Sequence, residues 1–207
     1  MKWLARIALL MSFALFCVNG ADYQFRIPTH VQLVPGSKAK GIGFGGWLVL
    51  PDVTAKGNTF RALMVGGLLV RRENRWVEIM GGGILHQQLA IGGARKSPFF
   101  DPMVNVRASD RSIKRLQFFT DIELLPRTKR VYTLTSVDAP IPLRGLRKLR
   151  VRARLESENV FFWNGKPHSV GIGPGVVIPI GKRVSVTTAY QFRNDRNFLR
   201  NYLAFTF

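Results

Sequence analysis

Apolar and polar side chains alternate at every second position along most of the chain. The clearest alternation sets Leu149, Val151, Ala153 and Leu155 against Arg150, Arg152, Arg154 and Glu156. Segments 23–34, 114–126 and 182–193 show the same period. Because successive side chains of a β-strand point to opposite faces, this pattern predicts strands with one apolar and one polar face.

Short runs rich in Gly, Pro, Asn and Lys separate these segments and are typical of turns. They are Pro35-Gly36-Ser37, Lys56-Gly57-Asn58, Glu73-Asn74-Arg75, Asn164-Gly165, Gly181-Lys182 and Asn194-Asp195. Strands joined by short turns predict an all-β antiparallel meander, which buries its edges by closing into an up-and-down barrel.

Eleven segments have the strand pattern, and they are 23–34, 40–51, 58–72, 75–90, 102–109, 114–126, 129–140, 147–161, 167–180, 182–193 and 197–207. Single-chain bacterial barrels almost always have an even number of strands. We therefore predict about ten strands, with 102–109 or 23–34 not a full strand. Eight and twelve strands are the alternatives.

Residues 1–20 have the three parts of a secretory signal peptide. Lys2 and Arg6 are followed by an apolar run from Ile7 to Val18 and by a cleavage pattern ending at Gly20. The run is shorter than the about 20 apolar residues that a membrane-spanning helix needs. We expect an exported barrel domain over residues 21–207, without cysteine, since Cys17 is the only one in the chain.

The end of the chain indicates which face of the barrel is apolar. Leu199, Leu203, Phe205 and Phe207 alternate on one face up to the last residue. This pattern resembles the C-terminal assembly signal of bacterial outer-membrane β-barrels. The resemblance implies a transmembrane barrel with an apolar exterior and a polar lumen. It also implies that Leu203, Phe205 and Phe207 are recognised by the barrel-assembly machinery of the outer membrane.

An apolar exterior places the charged face of residues 147–161 inside the barrel. We expect Arg150, Arg152, Arg154 and Glu156 to form a lumen charge network with Asp121 and Glu123. Guanidinium groups pair well with carboxylates at such short range. His30 and His86 fall on the same inward register, where we interpret them as polar filling of the lumen.

The chain carries 31 Lys and Arg against 12 Asp and Glu, a formal net charge of +19. Basic residues at turns and strand ends predict rims that contact membrane lipid and the phosphates of lipopolysaccharide. Inward-facing arginines would favour anions in any pore. No nucleic-acid recognition motif accompanies the charge. The leading hypothesis is a non-enzymatic outer-membrane barrel, either structural or a narrow, anion-preferring channel; the oligomeric state stays open.

Two alternatives remain from the sequence. His168, Ser169 and Glu156 are candidates for a lipid-A or phospholipid hydrolase, which needs a histidine within reach of the nucleophilic serine. Adjacent residues on a strand point to opposite faces, so His168 and Ser169 are poorly placed to pair. Gly45-Gly46-Trp47 fits the short Gly-x-Trp pattern of lipocalins, which are soluble lipid carriers. No metal-ligand or cofactor motif is present.

Overall fold

The computed structural model describes residues 21–34, 40–54, 59–88, 97–113, 115–142 and 150–207, and these residues form strands and turns without a helix. The predicted signal peptide, residues 1–20, lies outside the described residues. Eleven strands follow one another along the chain. They are β1 (Asp22–Leu33), β2 (Lys40–Thr54), β3 (Thr59–Arg72), β4 (Arg75–Gln88), β5 (Phe99–Asp110), β6 (Gln117–Leu125), β7 (Arg130–Pro140), β8 (Arg152–Phe162), β9 (Ser169–Ile180), β10 (Val184–Arg193) and β11 (Phe198–Thr206).

The strands close into a single barrel in which each strand pairs with its neighbours in sequence. Every consecutive pair is antiparallel, whereas the closing pair of β1 and β11 is parallel, with Asp22 opposite Phe198 and Thr29 opposite Phe205. An alternating meander of eleven strands brings its first and last strands together in the same direction. The all-β barrel is confirmed, but the prediction of ten strands and of a wholly antiparallel barrel was wrong.

The outer face of the barrel is apolar and the inner face carries most of the charge. In β9, for example, Val170, Ile172 and Val176 point outward and are exposed, while Ser169 and Gly171 point inward and are buried. Exposed large apolar side chains occur at outward positions of nine of the eleven strands. Burial at every second position therefore follows the polar residues of the pattern rather than the apolar ones.

The lumen also contains an apolar cluster on one side. Inward side chains from β2 to β7 pack together between Val49 and Tyr132, and Trp47, Leu134 and Val160 pack against them. The cluster consists of Val49, Leu63, Val65, Met80, Ile84, Met103, Leu125 and Tyr132. The interior is thus partly filled by a conventional core, and charged groups occupy other inward positions of these strands and of β8 to β11.

The two ends of the barrel are distinguished by the direction of the strands. We call the N-end the one at which β1 begins, which also holds the turns 126–129, 163–168 and 194–197. The C-end is the one at which β11 ends, with the turns 73–74 and 181–183. Because the strand number is odd, β1 begins and β11 ends at opposite ends of the barrel.

Candidate functional site: the lumen charge network

The predicted network residues lie in the lumen with one exception. Arg152, Arg154 and Glu156 alternate inward along β8, and Asp121 and Glu123 do so along β6. Arg150 is the exception and corrects the prediction. It precedes β8, is exposed and has a positive φ of 47°, since the strand begins only at Arg152.

The β8 arginines find partners that the sequence pattern did not indicate. Arg154 donates two hydrogen bonds to Asp138 of β7, Nε to Oδ1 at 2.7 Å and Nη2 to Oδ2 at 2.9 Å. This two-pronged geometry is the strongest that an arginine and a carboxylate form. Arg152 donates from Nη1 to Oε1 of Gln117 at 2.8 Å. Neither arginine is paired with Asp121 or Glu123, the partners expected from the sequence.

Arg200 of β11 is the most buried member of the network, and sequence reasoning missed it. Its guanidinium is fully buried and Nη1 lies 2.8 Å from Glu158 Oε2 and 3.2 Å from Glu156 Oε1. Its Nε donates to Oε1 of Gln24 at 3.0 Å, which joins β11 to β1 across the closing pair. The alternation along β11 could have identified it, because Arg200 lies on the same inward face as Phe198 and Tyr202.

A second group surrounds Asp52 of β2. Arg26 Nε lies 3.1 Å from Asp52 Oδ2, and Arg61 Nη2 lies 2.8 Å from the same oxygen. Gln24 donates from Nε2 to Oδ1 at 2.9 Å. Arg26 also donates from Nη1 to the Tyr132 hydroxyl at 3.3 Å, so that its side chain crosses the middle of the lumen.

A third group, near the C-end, surrounds Glu78 of β4. His30 Nε2 lies 2.7 Å from Glu78 Oε1, and Gln32 donates to the same oxygen at 3.0 Å. Arg107 lies 3.7 Å from both Glu78 and Asp121, and its guanidinium is 3.8 Å from the centre of the Trp47 ring. Arginine stacked on an aromatic face gains a cation–π contact as well as the ion pair.

The charges inside the lumen balance within the described residues. The nine inward carboxylates are Asp22, Asp52, Glu78, Asp101, Asp121, Glu123, Asp138, Glu156 and Glu158, and the nine inward arginines are Arg26, Arg61, Arg71, Arg107, Arg130, Arg152, Arg154, Arg193 and Arg200. No described lysine points inward. The positive surplus of the described residues is therefore carried outside the lumen. Arg130, Arg193 and Arg200 lie at or near strand ends and are nevertheless part of the balanced interior.

Two cavities enter the lumen, one from each end. The C-end vestibule has a volume of about 510 Å³ and is bordered by Arg71, Trp76 and Phe119. The N-end vestibule, of about 660 Å³, is bordered by His86 and Arg193. Arg26 and Glu123 line both cavities, so these two side chains mark the level in mid-lumen at which the vestibules meet.

The three catalytic candidates are placed apart. Ser169 Oγ donates to Asp195 Oδ1 at 2.7 Å and accepts hydrogen bonds from Arg193. His168 faces the other way, where its Nδ1 accepts the Phe162 backbone N–H at 3.1 Å, and Glu156 is buried beside Arg200. Burial raises the pKa of Asp195, but the Ser169 hydrogen bond and the Arg193 charge outweigh it and leave that pKa below its ordinary value. Ser169 is therefore hydrogen-bonded to both members of the Arg193–Asp195 ion pair, and none of its hydrogen bonds involves a histidine of the described residues.

The ends of the barrel carry unequal charge. Among the described residues outside the lumen, the C-end has eight basic residues against Glu73 and Asp110, and the N-end has four against Asp195. The C-end residues are Lys40, Arg72, Arg75, Arg111, Arg115, Arg150, Lys182 and Arg183; those of the N-end are Arg127, Lys129, Lys166 and Arg196. Most of these side chains are exposed, as expected for rims. Arg95, Lys96, Arg144, Arg147 and Lys148 lie outside the described residues.

The C-terminal pattern lies on the outer surface. Leu203 and Phe205 point outward from β11, and Phe207, directly after the strand, is 53% exposed. The Arg183 guanidinium lies 5.6 Å from the centre of the Phe207 ring.

No known protein family, curated protein or solved structure matches this chain. The described residues contain no helix that is long and apolar enough to cross a membrane. Within the same residues, no group of three or more His, Cys, Asp or Glu side chains is placed to hold a metal ion.

Proposed function

We propose that this protein is a non-enzymatic β-barrel of the bacterial outer membrane. The observation that carries the proposal is the exposed apolar exterior, which includes Met64 at 69%, Ile42 at 67% and Ile172 at 53% exposure. A barrel in water places such side chains in its core, because burying each of them is worth about 1.5–3 kcal/mol. A barrel in lipid places them outside and turns its charged residues inward.

The dimensions of the strands support the same proposal. The strands contain 9 to 15 residues, and a tilted strand crosses a bilayer with about 9–11 residues. Aromatic side chains near strand ends, among them Phe100, Phe161 and Trp163, are exposed at 39–53%. Amphipathic aromatic rings concentrate at the two membrane–water interfaces of such barrels.

The lumen supports a structural role or a narrow channel. Arg26 and Glu123 line both vestibules, so any continuous path passes beside these two charged side chains. Because the interior charges balance, an anion preference would arise mainly from the basic rims and from Arg71 and Arg111 at the C-end mouth. Fixed charge at a pore mouth selects ions through the local potential, which salt screens over about 10 Å at 0.1 M.

The rims supply the proposed partners. Exposed basic residues at both ends would contact anionic head groups and lipopolysaccharide phosphates, each contributing about 1 kcal/mol near the surface. Leu203, Phe205 and Phe207 would present the terminal strand to the barrel-assembly machinery, and their outward orientation on the last strand leaves them accessible for that step.

The two alternatives receive less support. A hydrolase needs a base beside Ser169, and the nearest charged partners of that hydroxyl are Asp195 and Arg193 rather than His168. A soluble lipid carrier of the lipocalin type needs an apolar pocket inside a polar shell, whereas the charged groups of this barrel point inward.

Membrane fractionation followed by electrophoresis with and without boiling tests the proposal. We expect the protein in the outer-membrane fraction, released only by detergent, with a mobility that changes on boiling as the closed barrel unfolds. The same preparation in planar bilayers should give small conductances with anion preference that declines between 0.1 and 1 M salt. Recovery in the aqueous periplasmic fraction without detergent would refute the membrane assignment.

A further inference from the structure

The C-end vestibule has the dimensions and walls of a small-molecule site. Its volume of about 510 Å³ lies within the roughly 300–1,000 Å³ that is usual for such sites. Trp47, Trp76 and Phe119 form one wall, with the rings of Trp76 and Phe119 6.2 Å apart. All three rings are partly exposed toward the cavity. The wall offers flat apolar surface beside polar groups, as ligand sites usually do.

Arg71 and Arg111 line the mouth of this vestibule without a matching set of carboxylates, and Arg152 donates to Gln117 of the same lining. Arg71 ends the inward register of β3, Arg111 follows β5, and Arg152 begins β8. No carboxylate of the described residues lies within 4.0 Å of the nitrogens of these three side chains. The Nε atoms of Arg71 and Arg152 are buried and have no hydrogen-bond partner in the described part of the chain. A buried donor without a partner is costly unless a ligand or water supplies an acceptor.

Arg71 and Arg111 carry like charges on the lining of the same cavity. Burial and then the charges of Arg152 and Arg71 lower the pKa of Arg111, and only Asp138 opposes that effect among the principal causes. Asp138 already forms the two-pronged pair with Arg154. The remaining exposed carboxylate of the lining is Glu73, in the turn between β3 and β4. Glu73 against Arg71 and Arg111 leaves this mouth with unneutralised positive charge.

We propose that the C-end vestibule binds a sugar-sized solute bearing a phosphate or sulfate group. The tetrahedral oxyanion would accept hydrogen bonds from Arg71 and Arg111, whose planar guanidinium groups fit such oxygens. The ring of the solute would lie against Trp76 and Phe119. Arg26 and Glu123 lie at the inner end of this vestibule, where it meets the N-end vestibule. Because the site lies at the C-end mouth of the lumen, this inference does not depend on the membrane location.

Tryptophan fluorescence of the folded barrel provides a direct readout. Residues 21–207 contain three tryptophans, Trp47, Trp76 and Trp163, and Trp163 lies in the turn 163–168 at the N-end. In a Trp163→Phe variant of residues 21–207, only Trp47 and Trp76 of the vestibule contribute tryptophan emission. Titration with glucose 6-phosphate should change the emission saturably, inorganic phosphate should compete, and glucose should have little effect.

Two substitutions on neighbouring residues separate a built site from general rim charge. Arg71→Gln should weaken glucose 6-phosphate binding by about tenfold or more, the loss expected for one charge-assisted hydrogen-bonded contact. Arg71→Lys retains the positive charge but not the planar guanidinium group. Its affinity for glucose 6-phosphate should lie between those of the parent protein and of Arg71→Gln. Arg72→Gln removes the same charge from the next residue, which points to the outer face, and should leave binding within about twofold.

Each remaining outcome counts against the proposal. If Arg71→Gln and Arg72→Gln lose the same amount of affinity for glucose 6-phosphate, the binding depends on the overall charge of the rim and not on a specific site. Equal affinity for glucose and glucose 6-phosphate would show that only the ring contacts contribute to binding. If the fluorescence does not change saturably, the vestibule is not a binding site for this solute. Each variant is first checked for the unboiled mobility of the parent barrel, so that loss of binding is not confused with loss of fold.

Discussion

A charged side chain on the outer face has a different energetic cost in water and in lipid. A substitution at a single outward residue therefore tests the proposed environment of the barrel. Met64 lies midway along β3, points outward and is 69% exposed. A charged side chain at such a position is harmless in water. In the middle of a bilayer it costs about 2–4 kcal/mol for Arg or Lys.

Met64→Arg should therefore destabilise the folded barrel by about 2–4 kcal/mol in a bilayer. The measurement is the urea dependence of the folded band on unboiled gels after refolding into lipid vesicles. Ile113→Arg is the matched control, since Ile113 is 52% exposed but lies in the connection after β5. If the two variants are equally stable, the outer face of β3 does not contact hydrocarbon.

Inside the lumen, Arg200 connects two buried glutamates with Gln24 of the first strand. Arg200→Met should cost about 3–5 kcal/mol, because removing one partner of a buried ion pair leaves an uncompensated charge. Unfolding in urea measures this loss, and the exposed Arg72→Gln should change stability by less than about 1 kcal/mol. A small effect of Arg200→Met would mean that water already solvates Glu156 and Glu158.

At the scale of strands, the alternating pattern was sufficient to predict all eleven segments. The bounds differ by a few residues, with β5 longer than its predicted range of 102–109 and β6 shorter than 114–126. The alternation along a strand indicates which of its residues share a face. It does not indicate which strands pair to close the barrel. The general rule of even strand numbers led to the wrong count.

The parallel pairing of β1 with β11 can be tested by cross-linking. Phe25 lies opposite Asn201 on the outer face, and neighbouring strands bring Cα atoms within the 4.4–6.8 Å that a disulfide requires. Residues 21–207 contain no cysteine, so Phe25→Cys with Asn201→Cys in this part of the chain should give a fast-migrating band on non-reducing gels.

Phe25→Cys with Phe205→Cys serves as the control, because Phe205 lies opposite Thr29 in the same register. This second pair should remain unlinked. Linking of the control pair alone, or of both pairs to the same extent, would contradict the parallel register.

Two adjacent glycines of β4, Gly81 and Gly82, differ in the space available for a side chain. A Cβ placed on Gly82 would collide with the Met64 carbonyl oxygen of β3, whereas a Cβ on Gly81 would meet nothing within 4 Å. Gly82→Ala should therefore lower the unfolding midpoint in urea, since the strand must shift to make room. Gly81→Ala should leave the midpoint unchanged or raise it slightly. Equal midpoints would show that β3 and β4 are less closely packed there.

At the scale of the whole molecule, the barrel separates the charges of the chain. Nine of the 12 acidic residues point into the lumen. The basic residues outside the lumen then face few acidic groups, which explains how a chain of net charge +19 has a balanced interior. Composition alone predicted the surplus and could not predict its location.

The proposed membrane orientation predicts that the two ends are accessible from different sides. Lys166→Cys places a thiol at the N-end and Lys182→Cys places one at the C-end. A membrane-impermeant maleimide should label one of the two in intact cells and both after permeabilisation. Equal labelling of both thiols in intact cells would contradict a spanning barrel and would leave the lumen site unaffected.

The candidate site was only partly predictable. Arg152, Arg154, Glu156, Asp121 and Glu123 were identified as inward residues because a period of two assigns faces along one strand. Their partners were not identified, because a partner depends on which strands are neighbours and on how far one is displaced past the next. Arg154 pairs with Asp138 because β7 and β8 place them side by side.

The sequence by itself determined the strands, the two faces of each strand and the excess of positive charge, all of which follow from local side-chain order. Only the tertiary structure decided the strand number, the parallel closure by β1 and β11, and the position of Arg71 and Arg111 at one mouth. The physical reason is that closure joins residues more than a hundred positions apart, such as Gln24 and Arg200, and no periodicity along the chain records that distance.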